Sequence, residues 1–243
     1  MPYPVVERVR ALAEELKSAG LDVAIIKKAL GAIGAVIPTN PQQAANMPVG
    51  GPIYELCRFR SALGKGYTTF AADATEADVQ YRKGQAVKAV QAKYVNSPTK
   101  QKVKDNIAGA VAQLQGLTGS GSAHQGQGNQ EQPPADAVLV ADIVIPENSQ
   151  FALDQQLLSW LGTKNTTARS ISVRITRIGH DTTSKQFIDI VSGTATLRPS
   201  PEDKARDHVA TTLSIVGEIR AVVNEDGTGR IKEEFKSLAR DFR

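Results

Sequence analysis

The sequence contains a single cysteine, Cys57, among its 243 residues. One thiol cannot form an intramolecular disulfide, and a cysteine-based zinc site needs several thiolates, so both are excluded. Proteins of reducing compartments commonly lack disulfides. We therefore expect an intracellular, cytoplasmic protein, or a component of the virion if its source is a virus.

Long apolar runs are also absent. No run approaches the ~20 residues that a membrane-spanning helix needs. The first residues, Met-Pro-Tyr-Pro, lack the charged and then apolar layout of a signal peptide. The prediction is a soluble protein without a membrane span.

The motifs of common enzymes are missing as well. The three histidines, His124, His180 and His208, are far apart, and no HExxH pattern brings two of them to the spacing of a zinc site. No G-x-S-x-G pattern surrounds a serine, and Cys57 has no histidine near it in sequence. We therefore predict no metal, no cofactor and no catalytic residue, and expect that the protein is not an enzyme.

Aromatic residues make up only 5% of the chain, yet they are concentrated in one place. Six of the twelve lie between residues 54 and 94, among a run of basic residues. From residue 58 to residue 104 there are ten Lys or Arg against three acids, a surplus of +7 in a chain whose net charge is +4. Cations neutralise phosphates and flat rings stack on unpaired bases, so this mixture is typical of a groove for single-stranded nucleic acid.

The candidate nucleic-acid-binding residues all come from this stretch. They are Arg58, Arg60, Lys65, Tyr67, Arg82, Lys83, Lys88, Lys93, Tyr94, Lys100, Lys102 and Lys104. The competing interpretation is structural, because most lysines form a solvated surface and most Tyr and Phe residues are core.

Residues 1–117 have the periodicity of a helical region. Helices are predicted from Pro4 to Gly20, after the capping residue Asp22, from Ile53 to Leu63 and after Pro98. A further helix is predicted from Thr75 to Val95, because Thr75 and Asp78 form a capping-box pattern. This region is interpreted as the nucleic-acid-binding part.

Residues 118–136 form a tract of Gly, Ser, Gln and Pro that separates two regions. Such a composition buries too little apolar surface to order itself, so it predicts a flexible linker. By count, the following residues, 137–243, hold fourteen bases and fourteen acids, and this neutral region is interpreted as the part that mediates oligomerisation.

The second region has the pattern of a small sheet flanked by helices. A strand is predicted at residues 137–145, and an antiparallel hairpin at residues 171–176 and 187–197. Helices are predicted at 151–161, with Trp160 as a core residue, at 202–219 and at the C-terminus, with a strand at Val222–Val223. The fold class is therefore α+β.

The leading functional hypothesis is a structural protein that binds single-stranded nucleic acid, with RNA favoured, and assembles as a homo-oligomer. Its most specific form is a viral nucleocapsid or coat protein. A protein-interaction or capsid-shell module that contacts no nucleic acid is the alternative, and an enzyme with a dispersed site is the least favoured reading.

Overall fold

The computed structural model describes residues 2–38, 49–70, 79–95, 99–116, 136–146, 151–178, 183–198 and 206–243. The helices in these ranges are α1 (Pro4–Ser18), α2 (Val23–Val36), α3 (Gly50–Gly64), α4 (Lys100–Gly116), α5 (Gln155–Gly162), α6 (Arg206–Asp226) and α7 (Gly229–Asp241). The strands are β1 (Thr68–Phe70), β2 (Val79–Lys83), β3 (Ala86–Tyr94), β4 (Val138–Pro146), β5 (Ile171–Ile178), β6 (Thr183–Val191) and β7 (Thr194–Arg198).

The chain divides into two compact units. A helical unit combines Met1–Thr68 with Lys204–Arg243, and an α/β unit comprises Thr69–Asp203. These units do not follow the division suggested by the Gly/Ser/Gln/Pro tract, since the last helices join the first ones. Residues 118–135 of that tract lie outside the described residues, so the flexible linker stays a prediction.

The helical unit contains α1, α2, α3, α6 and α7. Pro4 opens α1, where its missing donor is not needed, and the buried row Val5, Val9, Leu12 and Leu16 recurs at helical spacing. The carboxylate of Asp22 accepts a hydrogen bond of 2.6 Å from the Ala24 N–H and caps α2. These helices confirm the predictions made from periodicity.

Polar contacts tie the first helix to the last two. The backbone N–H of Tyr3 donates to the Glu234 carboxylate over 2.8 Å, and the guanidinium of Arg8 is paired with Glu218. Gly34 in α2 permits close packing against α7, since a Cβ at this position would lie 3.3 Å from the Lys236 backbone nitrogen. The two ends of the chain therefore form one folded unit.

The α/β unit is built on a mixed sheet whose described strands lie in chain order from β1 to β7. Strands β3, β4 and β5 are parallel, while β2, β6 and β7 pair antiparallel to their neighbours. Helices α4 and α5 provide the crossovers between the parallel strands. The α+β class is confirmed.

Both helices of this unit pack on the same face of the sheet. The core beneath them joins apolar residues of α4 and α5 to the inward rows of four strands. It includes Val103, Ile107, Val111, Leu114, Leu157, Leu161, Ala89, Leu139, Ala141, Ile143, Ile171, Val173, Ile175, Ile188 and Ile190. Because side chains alternate along a strand, the remaining residues of β3 to β6 face the opposite side.

The opposite face carries a buried ion pair. Asp142 on β4 and Arg174 on β5 are directly paired in register. The guanidinium donates from Nε over 2.8 Å and from Nη2 over 2.5 Å to the two carboxylate oxygens, and the Asp142 side chain is fully buried. A two-point contact of this kind fixes the relative orientation of the two side chains and is stronger than a single hydrogen bond.

Three sequence predictions are wrong. Residues 79–94 form the β2–β3 hairpin, with a turn at Gly84 of φ +59°, instead of a helix, while residues 71–78 lie outside the described residues. Val222 and Val223 belong to α6. The second strand predicted at 187–197 is two strands, β6 and β7, joined by a tight turn at Ser192 and Gly193.

The buried ion pair gives the first testable prediction. Replacing Asp142 by Ala should lower the unfolding free energy of the α/β unit by about 3–5 kcal/mol, because the Arg174 charge would stay largely buried without its carboxylate. Denaturant titration followed by circular dichroism measures this loss. Asp142→Leu combined with Arg174→Met should regain most of it.

The matched control is an exposed pair. Arg60→Met breaks the Arg60–Glu15 contact, in which both side chains are about half exposed, and should change the unfolding free energy by less than about 1 kcal/mol. Equal losses from Asp142→Ala and Arg60→Met would contradict the special weight of the buried pair.

A second prediction concerns the end of α5. A Cβ at Gly162 would collide with the backbone carbonyl of Gly193 in the β6–β7 turn. Gly162→Ala should therefore destabilise the α/β unit by about 1–3 kcal/mol. Gly109→Ala in α4, where a Cβ meets nothing within 4 Å, should instead stabilise it by about 0.5–1 kcal/mol, and melting temperatures of the two variants compare these effects.

Candidate nucleic-acid interface

The candidate residues are divided between the two units. Arg58, Arg60, Lys65 and Tyr67 belong to the helical unit, and the other eight belong to the α/β unit. Within each unit their positions can be followed from the elements that carry them.

In the helical unit, Arg58 and Arg60 are engaged by residues of their own unit. Arg58 is buried, with 8% of its surface exposed, and its guanidinium lies 5.9 Å from the centre of the Tyr54 ring. Arg60 is exposed, and its Nε donates to the Glu15 carboxylate over 2.8 Å. Lys65 is exposed just beyond α3, and Tyr67 is half-buried. Burial at Arg58 separates it from any external phosphate.

In the α/β unit, the candidates on β2 and β3 point to both faces of the sheet. Arg82 and Lys93 share the side of Ala89, which the helices cover. Lys83, Lys88 and Tyr94 share the other side. The five residues therefore do not form the single helical surface that was predicted.

The candidates on α4 are brought together with residues of α5. Lys100 is exposed and its ammonium lies 3.3 Å from the Asp154 carboxylate. Lys102 is exposed in the first turn of the helix, and Lys104 is half-buried. The Lys104 Nζ lies 4.5 Å from the centre of the Trp160 ring.

Trp160 is the residue that sequence reasoning assigned to the core alone. It packs on the core with one part and is half-buried, and a second ammonium, Lys164 Nζ, lies 4.8 Å from the ring centre. We call Lys100, Lys104, Trp160 and Lys164 the Lys–Trp patch; Lys102 lies on the opposite flank of α4, because residues two apart on a helix point about 160° away from each other. The spacing of Trp160 and Lys164, four residues apart, was the available signal, but nothing in the sequence placed α4 beside them.

The segment that carries Lys164 is held by a buried amide. Asn165 is 1% exposed; its Nδ2 donates to the carbonyl oxygens of Arg169 and Ile190 over 2.7 and 2.8 Å. Its Oδ1 accepts from the backbone N–H of Thr167 over 3.0 Å. Fixing this turn holds the Lys164 backbone beside the end of α5.

The contacts inside the patch are weak enough to exchange. A cation over an aromatic face at an exposed site contributes only about 0.5–1 kcal/mol. The Lys100–Asp154 contact joins two side chains that are nearly half exposed, so solvent screens it. An arriving phosphate can replace either contact with a charge-assisted hydrogen bond.

A groove in the helical unit is a different kind of concavity. It has a volume of about 460 Å³ and lies along α1 and α7, with Val6, Leu238 and Phe242 among its lining residues. Its charges balance, since Arg10, Lys17 and Arg243 face Glu14, Glu234 and Asp241. Hydrogen bonds from Arg240 and then Ser237 lower the pKa of Asp241, which is opposite to the shift that a general acid needs.

Within the described residues, no group of three or more His, Cys, Asp or Glu side chains is placed to hold a metal ion. In the same part of the chain, no helix combines the length and apolar character needed to cross a membrane. The chain matches no protein-family model, no curated protein and no solved structure at a significant level.

Asp154, which caps α5 and contacts Lys100 of the patch, gives a pH-dependent prediction. The Leu157 N–H and then the Lys100 ammonium hold the pKa of Asp154 below its ordinary value. Because the pKa of Asp154 is lower in the folded protein than in the unfolded chain, its charge stabilises the fold. This stabilisation is fully present above the unfolded pKa, near 4, and is lost as pH falls through the folded pKa. Asp154→Asn should therefore melt below the wild type at pH 7, and the gap should shrink under acidic conditions below about pH 4. Asn caps a helix about as well as Asp, so the comparison isolates the charge; Asp105→Asn, which removes a charge on α4 away from the start of α5, is the control.

Proposed function

We propose that this protein is a structural nucleic-acid-binding protein that holds single-stranded nucleic acid, RNA in the first place, and assembles with copies of itself. The observation that carries the proposal is the Lys–Trp patch, in which two ammonium groups lie near one half-buried indole, with the exposed Lys100 at the start of the neighbouring helix. Its most specific form is a viral nucleocapsid or coat protein that packages RNA.

The mechanism needs no base-specific contact. Lys100, Lys104 and Lys164 neutralise successive backbone phosphates, while an unpaired base stacks on the Trp160 indole. Phosphates take over the ammonium groups that lie near the ring, which uncovers the indole face for the base. Because every base has a π-face and every nucleotide a phosphate, the binding tolerates any sequence.

The remaining candidates keep a secondary place in the proposal. The other candidates stay predicted contacts, each within its own unit, and no common path through them is implied: Lys65, Tyr67, Arg82, Lys83, Lys88, Lys93, Tyr94 and Lys102. Arg58 and Arg60 drop to the lowest rank, since the first is buried and the second is bound to Glu15.

The second candidate function is a protein-interaction or capsid-shell module without nucleic acid. The exposed apolar side chain of Leu197 on the edge strand β7 favours it. The absorbance ratio at 260 and 280 nm of the purified assembly separates the two, because packaged nucleic acid raises it. In both proposals the protein binds and assembles, and is not an enzyme.

The decisive binding experiment uses the only tryptophan of the chain as its probe. Titration with a homopolymeric single-stranded RNA should change Trp160 fluorescence, with an affinity that falls steeply as salt rises. Lys104→Glu combined with Lys164→Glu should weaken binding at least tenfold. It should also reduce the slope of log affinity against log salt by about one unit per lysine removed.

The matched control places the same charge change on the helical unit. Lys27→Glu combined with Lys28→Glu on α2 alters the net charge equally and should leave affinity nearly unchanged. If the two double variants weakened RNA affinity equally, affinity would depend on net charge alone, and the patch would not be the binding surface. An affinity that does not respond to salt would refute phosphate binding altogether.

A further inference from the structure

Strand β7 ends the sheet on one side, and its side chains lie open to solvent. Thr194, Thr196, Leu197 and Arg198 are exposed, with Leu197 at 49%. Among the described strands none lies beyond β7. The other end of the sheet is β1, which is only three residues long and offers a much shorter template.

The direction of the β7 backbone groups follows from the turn before it. Val191 and Thr194 close a two-residue turn in which Ser192 and Gly193 have φ of 43° and 87°. The residues flanking such a turn form a hydrogen-bonded pair, and hydrogen-bonded pairs alternate along the hairpin. Thr194, Thr196 and Arg198 therefore direct their backbone groups at β6, and Ala195 and Leu197 direct theirs outward.

Three devices that commonly protect an edge strand, namely proline, lysine and a bulge, are missing from β7. The strand holds no proline and no lysine, and its register with β6 is unbroken over all five residues, so no bulge twists it away. Its one charge, Arg198, is held by Asp189 on β6 and donates to the Ser172 hydroxyl over 3.2 Å. The end of α5 packs beside the turn, since a Cβ at Gly162 would collide with the Gly193 carbonyl and lie 3.3 Å from the Ala195 backbone nitrogen.

The strand is complementary to itself when two copies run antiparallel about Thr196. Thr194 then lies opposite Arg198 of the second copy, so no like charges meet, and Ala195 lies opposite Leu197. Both outward-directed residues of each copy pair, which gives about four backbone hydrogen bonds across the dyad. A register centred on a neighbouring residue leaves part of the five-residue strand unpaired.

We propose that β7 is a dimerisation edge, on which a second copy of this chain adds its own β7 antiparallel and in register at Thr196. The contact is isologous and closes after two copies, and it joins the two sheets into one. It covers the exposed Leu197 side chains with Ala195 of the opposite copy. A five-residue edge buries little area, so a weak, micromolar dimer is expected.

The register is tested by cysteine cross-linking of the full chain in a Cys57→Ala background. Opposed residues of a non-hydrogen-bonded antiparallel pair have Cα atoms about 4.5 Å apart, within the ~4.4–6.8 Å that disulfides accept. Thr196→Cys should therefore yield a covalent dimer under mild oxidation. Thr194→Cys is equally exposed but far from its own mate, and should cross-link at least tenfold more slowly. Equal rates, or no dimer from Thr196→Cys, would overturn the proposal.

The backbone requirement is tested by sedimentation equilibrium of the uncross-linked chain. Leu197→Pro removes an outward N–H that β6 does not use, so the fold should survive while dimerisation weakens at least tenfold. Leu197→Val keeps that N–H and should dimerise like the wild type. A wild type that stays monomeric, or a Leu197→Pro variant that dimerises fully, would contradict dimerisation through β7.

The β7 dimer is a specific form of the self-assembly in the proposed function, and in this respect the inference rests on that proposal. The two can fail separately, because Leu197→Pro leaves the Lys–Trp patch intact. Unchanged Trp160 fluorescence titration with a short RNA in that variant shows binding without the dimer edge. Covalent dimers of Thr196→Cys without any RNA response would retain the edge and refute the nucleic-acid proposal.

Discussion

The two crossovers β3–α4–β4 and β4–α5–β5 constrain the α/β unit more than any other feature. Such connections are almost always right-handed, so three parallel strands in chain order place both helices on the same face. That face must be apolar throughout, as Ala141, Ile143 and Val173 are. The neighbouring flanks of α4 and α5 then bring Lys104 to the Trp160 ring, although the two residues are far apart in the chain.

The elements that could be predicted are those with one buried face and one solvated face, because their apolar residues then recur with the period of a helix or a strand. In α1 one side is buried and the other is solvated, so Val5, Val9, Leu12 and Leu16 show the helical period clearly. In β5, Ile171, Val173 and Ile175 face the core in strict alternation with polar residues, which predicts a strand. Strand β4 was recognised from its Val- and Ile-rich composition and the proline that follows.

The β2–β3 hairpin was missed because its burial does not alternate. Ala89 and Val90 are both fully buried although they point to opposite faces, and Gln91 is fully buried as well. Strands covered on both faces lose the period of two, and the same residues then fit a helical row. Gly84, with its positive φ between two short β-capable segments, was the local signal for a turn.

The sequence predicted which types of residue form the candidate site but not which of them share a surface. Lys100, Lys102 and Lys104 were recognised from charge, but charge along a sequence does not say which cations share a surface. Arg58 shows the difficulty, since a basic residue in an amphipathic helix is buried beside Tyr54. Trp160 and Lys164 joined the site only through the packing of α5 beside α4, which is a tertiary property.

The dimer edge and the Lys–Trp patch act together in the proposed assembly. An antiparallel pairing about Thr196 has its dyad perpendicular to the sheet, so the helices of both copies lie on the same face. Helix α5 packs on β6 and β7, and α4 on β3 and β4. With strands about 4.8 Å apart, the two patches would be on the order of 25 Å apart on that face. One nucleic-acid strand that reaches both binds the second patch at a high effective concentration, so two weak sites hold it far more tightly than either alone.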